Sequence, residues 1–241
     1  MPTKTVPWLM LLSRSVLFII TQALITLFLT LIGTNSAWKE SARWWIFLPI
    51  FANLASIVLL ILAFRAEGKR YLDILRFSRE TVKTDLLWFF GSQLIGFPIA
   101  AAPMNLLGAA IFGDPMIPIN MMFRPIPIWA LVVGLLFPLT IGFAELPTYF
   151  GYAMPRLFAS QKSQPALGWA AWLIASLFLG IQHSFLPFIA DWGFILWRAL
   201  MYLPFALFTG LMIKLRPSLM PYFAIGHALM DISALSVYLT L

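Results

Sequence analysis

Residues 44–64 read WWIFLPIFANLASIVLLILAF, a stretch without a single charged side chain. The hydrocarbon core of a bilayer is about 30 Å thick, and an α-helix that rises about 1.5 Å per residue needs about 20 apolar residues to cross it. This stretch meets that length. It therefore predicts a membrane-spanning helix.

Six further stretches have the same character. Across all 241 residues, 61% are hydrophobic, 10% are charged and the mean hydropathy is +0.91, which a soluble domain could not accommodate in its core. The sequence predicts an all-α polytopic bundle of about seven spans, with six or eight as alternatives. Pro98 and Pro103 leave open whether the third span is kinked, tilted or split. The predicted spans are Ser15 to Gly33, Trp44 to Phe64, Leu86 to Phe112, Ile126 to Phe143, Ala166 to Leu186, Gly193 to Ile213 and Leu219 to Leu239.

The spans are divided here into two regions. Residues 1–125 contain the first three spans and a basic loop, and residues 126–241 form a core that carries the polar residues discussed below. The basic loop, Arg65 to Asp85, is interpreted either as a short helix lying along the membrane interface or as a solvated connector.

Cationic side chains are distributed unequally between the two sides of the predicted bundle. Alternating loops place twelve cations on one side and three, Lys39, Arg43 and Arg124, on the other. The positive-inside bias then predicts a cytoplasmic amino terminus. The net charge of +7 indicates membrane lipids, through their anionic headgroups, rather than nucleic acid as the partner. The twelve are Lys4, Arg14, Arg65, Lys69, Arg70, Arg76, Arg79, Lys83, Arg156, Lys162, Lys214 and Arg216.

Five ionisable residues fall within or beside the predicted spans. Each costs about 2.5 to 3.5 kcal/mol to insert, so each needs a partner, a cavity or a function. His227 and Asp231 are four residues apart and share one helix face. Arg198 is expected to neutralise Asp191, Asp231 or a lipid phosphate. The five are Glu145, His183, Arg198, His227 and Asp231.

Four of these residues suggest hydrolysis without a covalent nucleophile. A carboxylate and a neutral imidazole can activate a water molecule, and a second imidazole can stabilise the oxyanion of a tetrahedral intermediate. No cofactor is required for such a site. Zn²⁺ held by Glu145, His183, His227 and Asp231 is the alternative, although the chain lacks a His-Glu-x-x-His helix and has no cysteine.

Three short motifs resemble those of the CPBP family, the CAAX-protease and bacteriocin-processing (Abi) membrane proteins. The first is Ala144-Glu145-Leu146-Pro147-Thr148-Tyr149-Phe150-Gly151-Tyr152-Ala153-Met154-Pro155-Arg156-Leu157, similar to a family motif that runs Glu-Glu-x-x-x-Arg-Gly-Tyr. The second is Leu179-Gly180-Ile181-Gln182-His183, and the third is His227-Ala228-Leu229-Met230-Asp231. Their order and spacing fit the family's conserved core, which here would cover Ile126 to the end.

The resemblance implies a glutamate-type intramembrane endopeptidase in the bacterial cytoplasmic membrane, acting on a peptide or protein substrate. In that role Glu145 and His183 activate water, while His227 and Asp231 hold or orient the oxyanion site. The family's second Glu is Leu146 here, and its Arg is Phe150. Their joint loss is charge-neutral. The alternative is a non-catalytic member that acts as a bacteriocin-immunity or membrane scaffold protein, and the oligomeric state stays open.

Overall fold

The computed structural model describes residues 4–159 and 164–239, and this part of the chain consists of helices joined by turns and short loops, without a β-strand. The α-helices are α1 (Val6–Leu31), α2 (Ala37–Ser41), α3 (Phe47–Ala66), α4 (Val82–Phe112), α5 (Met116–Met122), α6 (Ile128–Gly134), α7 (Leu136–Ile141), α8 (Pro165–Gln182), α9 (Trp192–Leu215) and α10 (Met220–Leu235), with a π-helix at Pro147–Ala153. Single 3₁₀ turns occur at Ala42–Trp44, Tyr71–Leu75, His183–Phe185, Pro217–Leu219 and Ser236–Leu239. The predicted all-α bundle is confirmed.

Five helices of the described chain are long and apolar enough to cross a membrane. They are α1, α3, α4, α8 with its following turn, and α9, and they correspond to five of the seven predicted spans. The other two predicted spans are shorter or interrupted. The segment 128–153 breaks into α6, α7, a turn and the π-helix, and α10 has 16 residues. Both irregular segments carry residues of the candidate site.

Contacts between loops show that the described residues pass seven times between two ends of the bundle. At one end Glu67 pairs with Arg156, and Arg216 binds Asp85. At the other end Arg124 pairs with Glu40, and the Trp38 and Phe188 rings are in contact. Tyr238 reaches this second end, where it stacks on Trp45. The loops therefore alternate between the two ends of the bundle in the order that the sequence predicted. Lys162, one of the twelve cations, lies outside the described residues.

Two local alternatives left open by the sequence are resolved. Pro98 and Pro103 lie inside one continuous 31-residue helix, α4, so the third span is not split; membrane helices tolerate proline where neighbouring groups satisfy the backbone. Of the stretch Arg65 to Asp85, the first two residues complete α3 and the last four begin α4. Residues 67–81 between them contain one 3₁₀ turn, Tyr71–Leu75, whose buried residue is Tyr71, and are otherwise non-helical.

The apolar core is divided by a layer of polar side chains. One buried cluster includes Phe18, Trp45 and Trp197, and a second surrounds Tyr149 and Phe223. Between them lie fully or nearly fully buried polar residues, which is costly in a low-dielectric interior unless they are hydrogen-bonded. This layer includes Arg14, Asn53, Ser56, Glu145, Gln182, His183 and His227.

Candidate active site within the bundle

A π-helix begins two residues after Glu145, at Pro147. Pro147 has no N–H, so it cannot donate to the carbonyl of Phe143 as a helical residue would. That carbonyl instead accepts a hydrogen bond from the Tyr71 hydroxyl. Five residues separate the donor Met154 N from its acceptor Tyr149 O, at 2.9 Å, which is the spacing of a π-helix. π-helical turns are rare and frequently occur at functional sites.

The carboxylate of Glu145 is 1% exposed and is held mainly through one of its oxygens. Oε2 accepts hydrogen bonds from Gln182 Nε2 at 2.6 Å and from Arg14 Nη2 at 3.3 Å. The neighbouring hydroxyl of Thr148 is not a partner, because it donates to the carbonyl of Ala144. Glu145 is thus held by groups from α1 and α8.

The third motif brings His227 and Asp231 to the free side of this carboxylate. His227 Nε2 lies 3.5 Å from Glu145 Oε1 and 3.2 Å from Asp231 Oδ2. The His227 ring also meets the edge of Phe205, with the two centroids 5.5 Å apart. One imidazole therefore stands between two carboxylates from different segments.

His183 lies in the same polar layer but makes no ion pair with Glu145. Its Nδ1 lies 2.8 Å from the carbonyl oxygen of Leu179, and its ring stacks on Tyr202 at a centroid distance of 3.8 Å. Because a carbonyl only accepts hydrogen bonds, Nδ1 carries the hydrogen, and Nε2 of the neutral ring is an acceptor. His183 is thus held in the tautomer that a base requires.

Arg198 does not neutralise any of the carboxylates expected from the sequence. Its guanidinium donates to the carbonyls of His183 and Leu186 and to the hydroxyl of Tyr202. These carbonyls belong to the 3₁₀ turn His183–Phe185 that follows α8 and to Leu186, the residue after that turn. The expectation failed because exposed carbonyls at a helix end attract a cation as a carboxylate does.

Arg14 was expected in a cytoplasmic loop, and this assignment is wrong. The first helix begins at Val6 rather than Ser15, so Arg14 lies inside it with no exposed surface. Its guanidinium donates to Gln182 Oε1 at 2.9 Å and Asn53 Oδ1 at 2.9 Å, besides Glu145. The apolar residues 8–12 before Arg14 were the signal that the span begins earlier.

Three other residues of this network were missed by the sequence analysis. Gln182 stands directly before His183, and Tyr149 donates to Gln182 Oε1 at 3.0 Å from within the first motif. Asn53 donates to Thr140 Oγ1 at 2.9 Å and so connects α3 to α7. Both Gln182 and Tyr149 lie inside the quoted motifs, but an uncharged polar residue in a span gives only a weak signal.

Three of the nine buried side-chain N and O atoms that lack a hydrogen-bond partner in the described residues belong to the predicted site. Within the described chain, Glu145 Oε1, His227 Nδ1 and Asp231 Oδ2 are buried atoms without a hydrogen-bond partner. A buried polar atom without a partner costs about 1–3 kcal/mol, so such atoms in a native protein need an explanation. Here the three residues are joined through His227, whose Nε2 lies 3.5 Å from Glu145 Oε1 and 3.2 Å from Asp231 Oδ2.

A metal centre was the chemical alternative to this arrangement. Among residues 4–159 and 164–239, no group of three or more His, Cys, Asp and Glu side chains is arranged to hold a metal ion. His183 makes no ion pair with the other three residues of the predicted set in the described part of the chain, and Oε2 of Glu145 is bound by Arg14 and Gln182.

Comparison with known proteins gave no match: no protein-family model, no curated protein and no solved structure is similar to this chain.

Proposed function

We propose that the protein is an intramembrane endopeptidase of the CPBP type, which hydrolyses a peptide bond with water activated by Glu145 and His183. The observation that carries the proposal is that Glu145 Oε1 and His227 Nδ1 are buried without a hydrogen-bond partner, while Asp231 Oδ2 lies 3.2 Å from His227 Nε2. A water molecule and a peptide carbonyl are groups that could satisfy them. The three motifs of the resemblance supply the roles.

Glu145 Oε1 is the first proton acceptor in this mechanism. It takes a proton from water while the water oxygen bonds to the carbonyl carbon of the scissile peptide, and the carbonyl π-electrons move onto oxygen. The same proton then passes from Glu145 to the amide nitrogen as the C–N bond breaks. The products are a new carboxyl group and a new amine.

The other three residues serve this step in different ways. His183 Nε2 is an acceptor on the same layer and assists Glu145 as a base. His227 acts in its protonated form: Nδ1–H donates to the developing oxyanion, while Nε2–H faces Asp231 Oδ2, 3.2 Å away, which orients the ring. Arg14 and Gln182 hold the second oxygen of Glu145, so they are positioning residues.

A groove at the basic end of the bundle is the proposed approach for the substrate. It has a volume of about 870 Å³, and Phe150, Gly151 and Met154 of the π-helix region line it. Glu145 is not among the lining residues, so a peptide reaches it only when the π-helix moves. We place this end in the cytoplasm, on the charge asymmetry, and the protein in a bacterial cytoplasmic membrane, on the resemblance.

A non-catalytic role is the second candidate, and one observation favours it. The bonds from Arg14 and Gln182 to Glu145 Oε2 give this carboxylate a structural task. An immunity or scaffold protein built on the same bundle would need no more than that.

The test compares the wild type with Glu145→Gln and His183→Ala, purified in detergent and given a pool of apolar-segment peptides read by mass spectrometry. Glu80→Gln, in the exposed loop, is the matched control. We expect cleavage by the wild type and by Glu80→Gln, and a loss of about 10²–10⁴-fold in the two site variants. Full activity in both site variants, or a wild type that protects cells from a membrane-active peptide without cleaving any peptide, would overturn the proposal. Treatment with a chelator tests the Zn²⁺ alternative in the same assay.

A further inference from the structure

A second cavity lies at the basic end of the bundle, beside α3. It has a volume of about 600 Å³, which is within the range of small-ligand sites. Its residues come from the last three turns of α3, from the loop after it, and from Phe143. None of them belongs to the set proposed for catalysis.

The rim of this cavity is strongly cationic. Arg65, Lys69, Arg70 and Arg76 line it, against a single carboxylate, Asp73. The Arg70–Asp73 pair is exposed on both sides and Lys69 is the exposed end of its pair with Glu67, so neither pair contributes much. Both oxygens of Glu67 are already bound by Arg156. The rim therefore keeps an excess of positive charge.

Two of the four cations have no partner among the residues that the structure describes. The guanidinium groups of Arg65 and Arg76 make no hydrogen bond, ion pair or ring contact with any residue of the described ranges, and both side chains are exposed. An anion bound between them would gain charge-assisted hydrogen bonds without displacing an existing partner.

The floor of the cavity is apolar. Ile61 and Ile57 lie one and two turns of α3 below Arg65, hence about 6 and 12 Å deeper along the helix. Phe143 and Leu72 complete this surface. The span of α3 ends at Ala66, so the cationic rim lies where a membrane-spanning helix emerges and the floor lies within the span. A ligand that matches this cavity has an anionic headgroup at the rim and a hydrocarbon chain at the floor, as an anionic phospholipid does.

We infer that this cavity binds one anionic phospholipid, with its phosphate between Arg65 and Arg76 and the start of an acyl chain against Ile57, Ile61 and Phe143. Tyr71 also lines the cavity and donates to the carbonyl of Phe143, two residues before Glu145. A bound lipid therefore stabilises the turn that leads to Glu145. The inference does not depend on peptide hydrolysis.

The test measures thermal unfolding of the detergent-purified protein with added phosphatidylglycerol, phosphatidylcholine or inorganic phosphate. We expect phosphatidylglycerol alone to raise the unfolding temperature. The variant Arg65→Gln/Arg76→Gln should bind it roughly 30-fold more weakly, which is about 2 kcal/mol at about 1 kcal/mol per cation. Arg79→Gln/Lys83→Gln removes the same charge from exposed positions outside the cavity and should behave as the wild type.

Three results would overturn the inference. Equal stabilisation by phosphatidylcholine would mean that the rim does not select charge. Equal stabilisation by inorganic phosphate would mean a site for a free anion. An equal loss of stabilisation by phosphatidylglycerol in both double variants would mean that the lipid responds to the general surface charge rather than to a site.

Discussion

The two oxygens of the Glu145 carboxylate have different surroundings, and this difference separates a structural role from a chemical one. Oε2 is bound by Arg14 and Gln182, whereas Oε1 has only the imidazole of His227 near it, at 3.5 Å. Arg14 has no exposed surface, so its charge depends on Glu145 for compensation. Oε2 thus contributes to the stability of the fold, whereas Oε1 remains available for chemistry.

A double-mutant cycle on Arg14 and Glu145 tests this interdependence. Arg14→Gln and Glu145→Gln should each lower the free energy of unfolding by about 3–5 kcal/mol, because each leaves a buried charge without its partner. The double variant carries neither charge and should lose about 1–3 kcal/mol less than the sum of the two. Unfolding in detergent measures all four proteins. Additive losses would mean that the two charges are not coupled.

The residues that the sequence analysis identified are those whose charge is expensive in a span. Glu145, His183, His227 and Asp231 were found because an ionisable group in hydrocarbon is conspicuous. Arg14 was missed because a cation next to a predicted span is ordinarily read as a flanking anchor. Its true place depends on contacts with residues 39 and 131 positions away, Asn53 and Glu145, which no local pattern contains.

At the scale of elements, the interrupted segment 128–153 is what makes the site. A regular helix there would satisfy its own backbone and would need no help from Tyr71. The hydropathy of Ile126 to Phe143 predicted the span, but not the break after Ile141 or the π-helix. That irregularity depends on Pro147 together with a hydroxyl 72 residues earlier than Phe143.

Close packing of the turn before Glu145 against α10 gives one prediction. A Cβ on Gly142 would stand 2.6 Å from the carbonyl oxygen of Ala224, which is backbone and cannot move aside cheaply. Gly142→Ala should therefore cost about 1–3 kcal/mol and reduce peptide cleavage. Gly91→Ala is the control, because a Cβ there meets nothing within 4 Å and Ala favours a helix. Equal unfolding temperatures for the two variants would show that Gly142 is not a tight contact.

The end of the π-helix gives a prediction on pH. Arg156 binds both oxygens of Glu67 at 2.6 and 2.7 Å and also donates to the carbonyls of Gly151 and Tyr152. Its hydrogen bonds hold the pKa of Glu67 below the usual value. A lowered pKa means that the pair stabilises the fold above about pH 4.3, the unfolded value, and that this stability is lost as the pH falls through the folded pKa.

Unfolding temperatures between pH 7 and pH 3 measure this contribution. The unfolding temperature of Glu67→Gln should fall less on acidification than that of the wild type. The unfolding temperature of Glu80→Gln should fall as much as that of the wild type, because Glu80 is an exposed residue of the same loop. Parallel curves for the wild type and Glu67→Gln would show that the pair does not hold the π-helix to α3.

At the scale of the whole molecule, two properties were predictable because they follow from the solvent. Lipid requires long apolar helices and an unequal distribution of cations, and both are present in the sequence. The number of regular spans was less predictable, since five helices are long enough and two passages are interrupted or short. A membrane-spanning helix can be interrupted where neighbouring protein shields its free backbone groups from lipid. Hydropathy does not show where such shielding occurs.

The arrangement of the two ends can be tested without background labelling, because the chain has no cysteine. We expect Glu80→Cys to react with a membrane-impermeant maleimide only from the cytoplasmic side, and Asn35→Cys and Asp114→Cys only from the opposite side. The wild type should show no labelling. Labelling of all three from one side would contradict the two-ended bundle, and a complete reversal would contradict the proposed orientation.

Peptide cleavage by Arg14→Gln/Glu145→Gln tests the proposed chemistry most directly, because this variant removes the buried carboxylate without leaving the buried cation unpaired. If Glu145 takes the proton from water, the folded double variant loses activity by about 10²–10⁴-fold, as Glu145→Gln does. If Glu145 serves only as the counterion of Arg14, the double variant cleaves the peptide at the rate of the wild type.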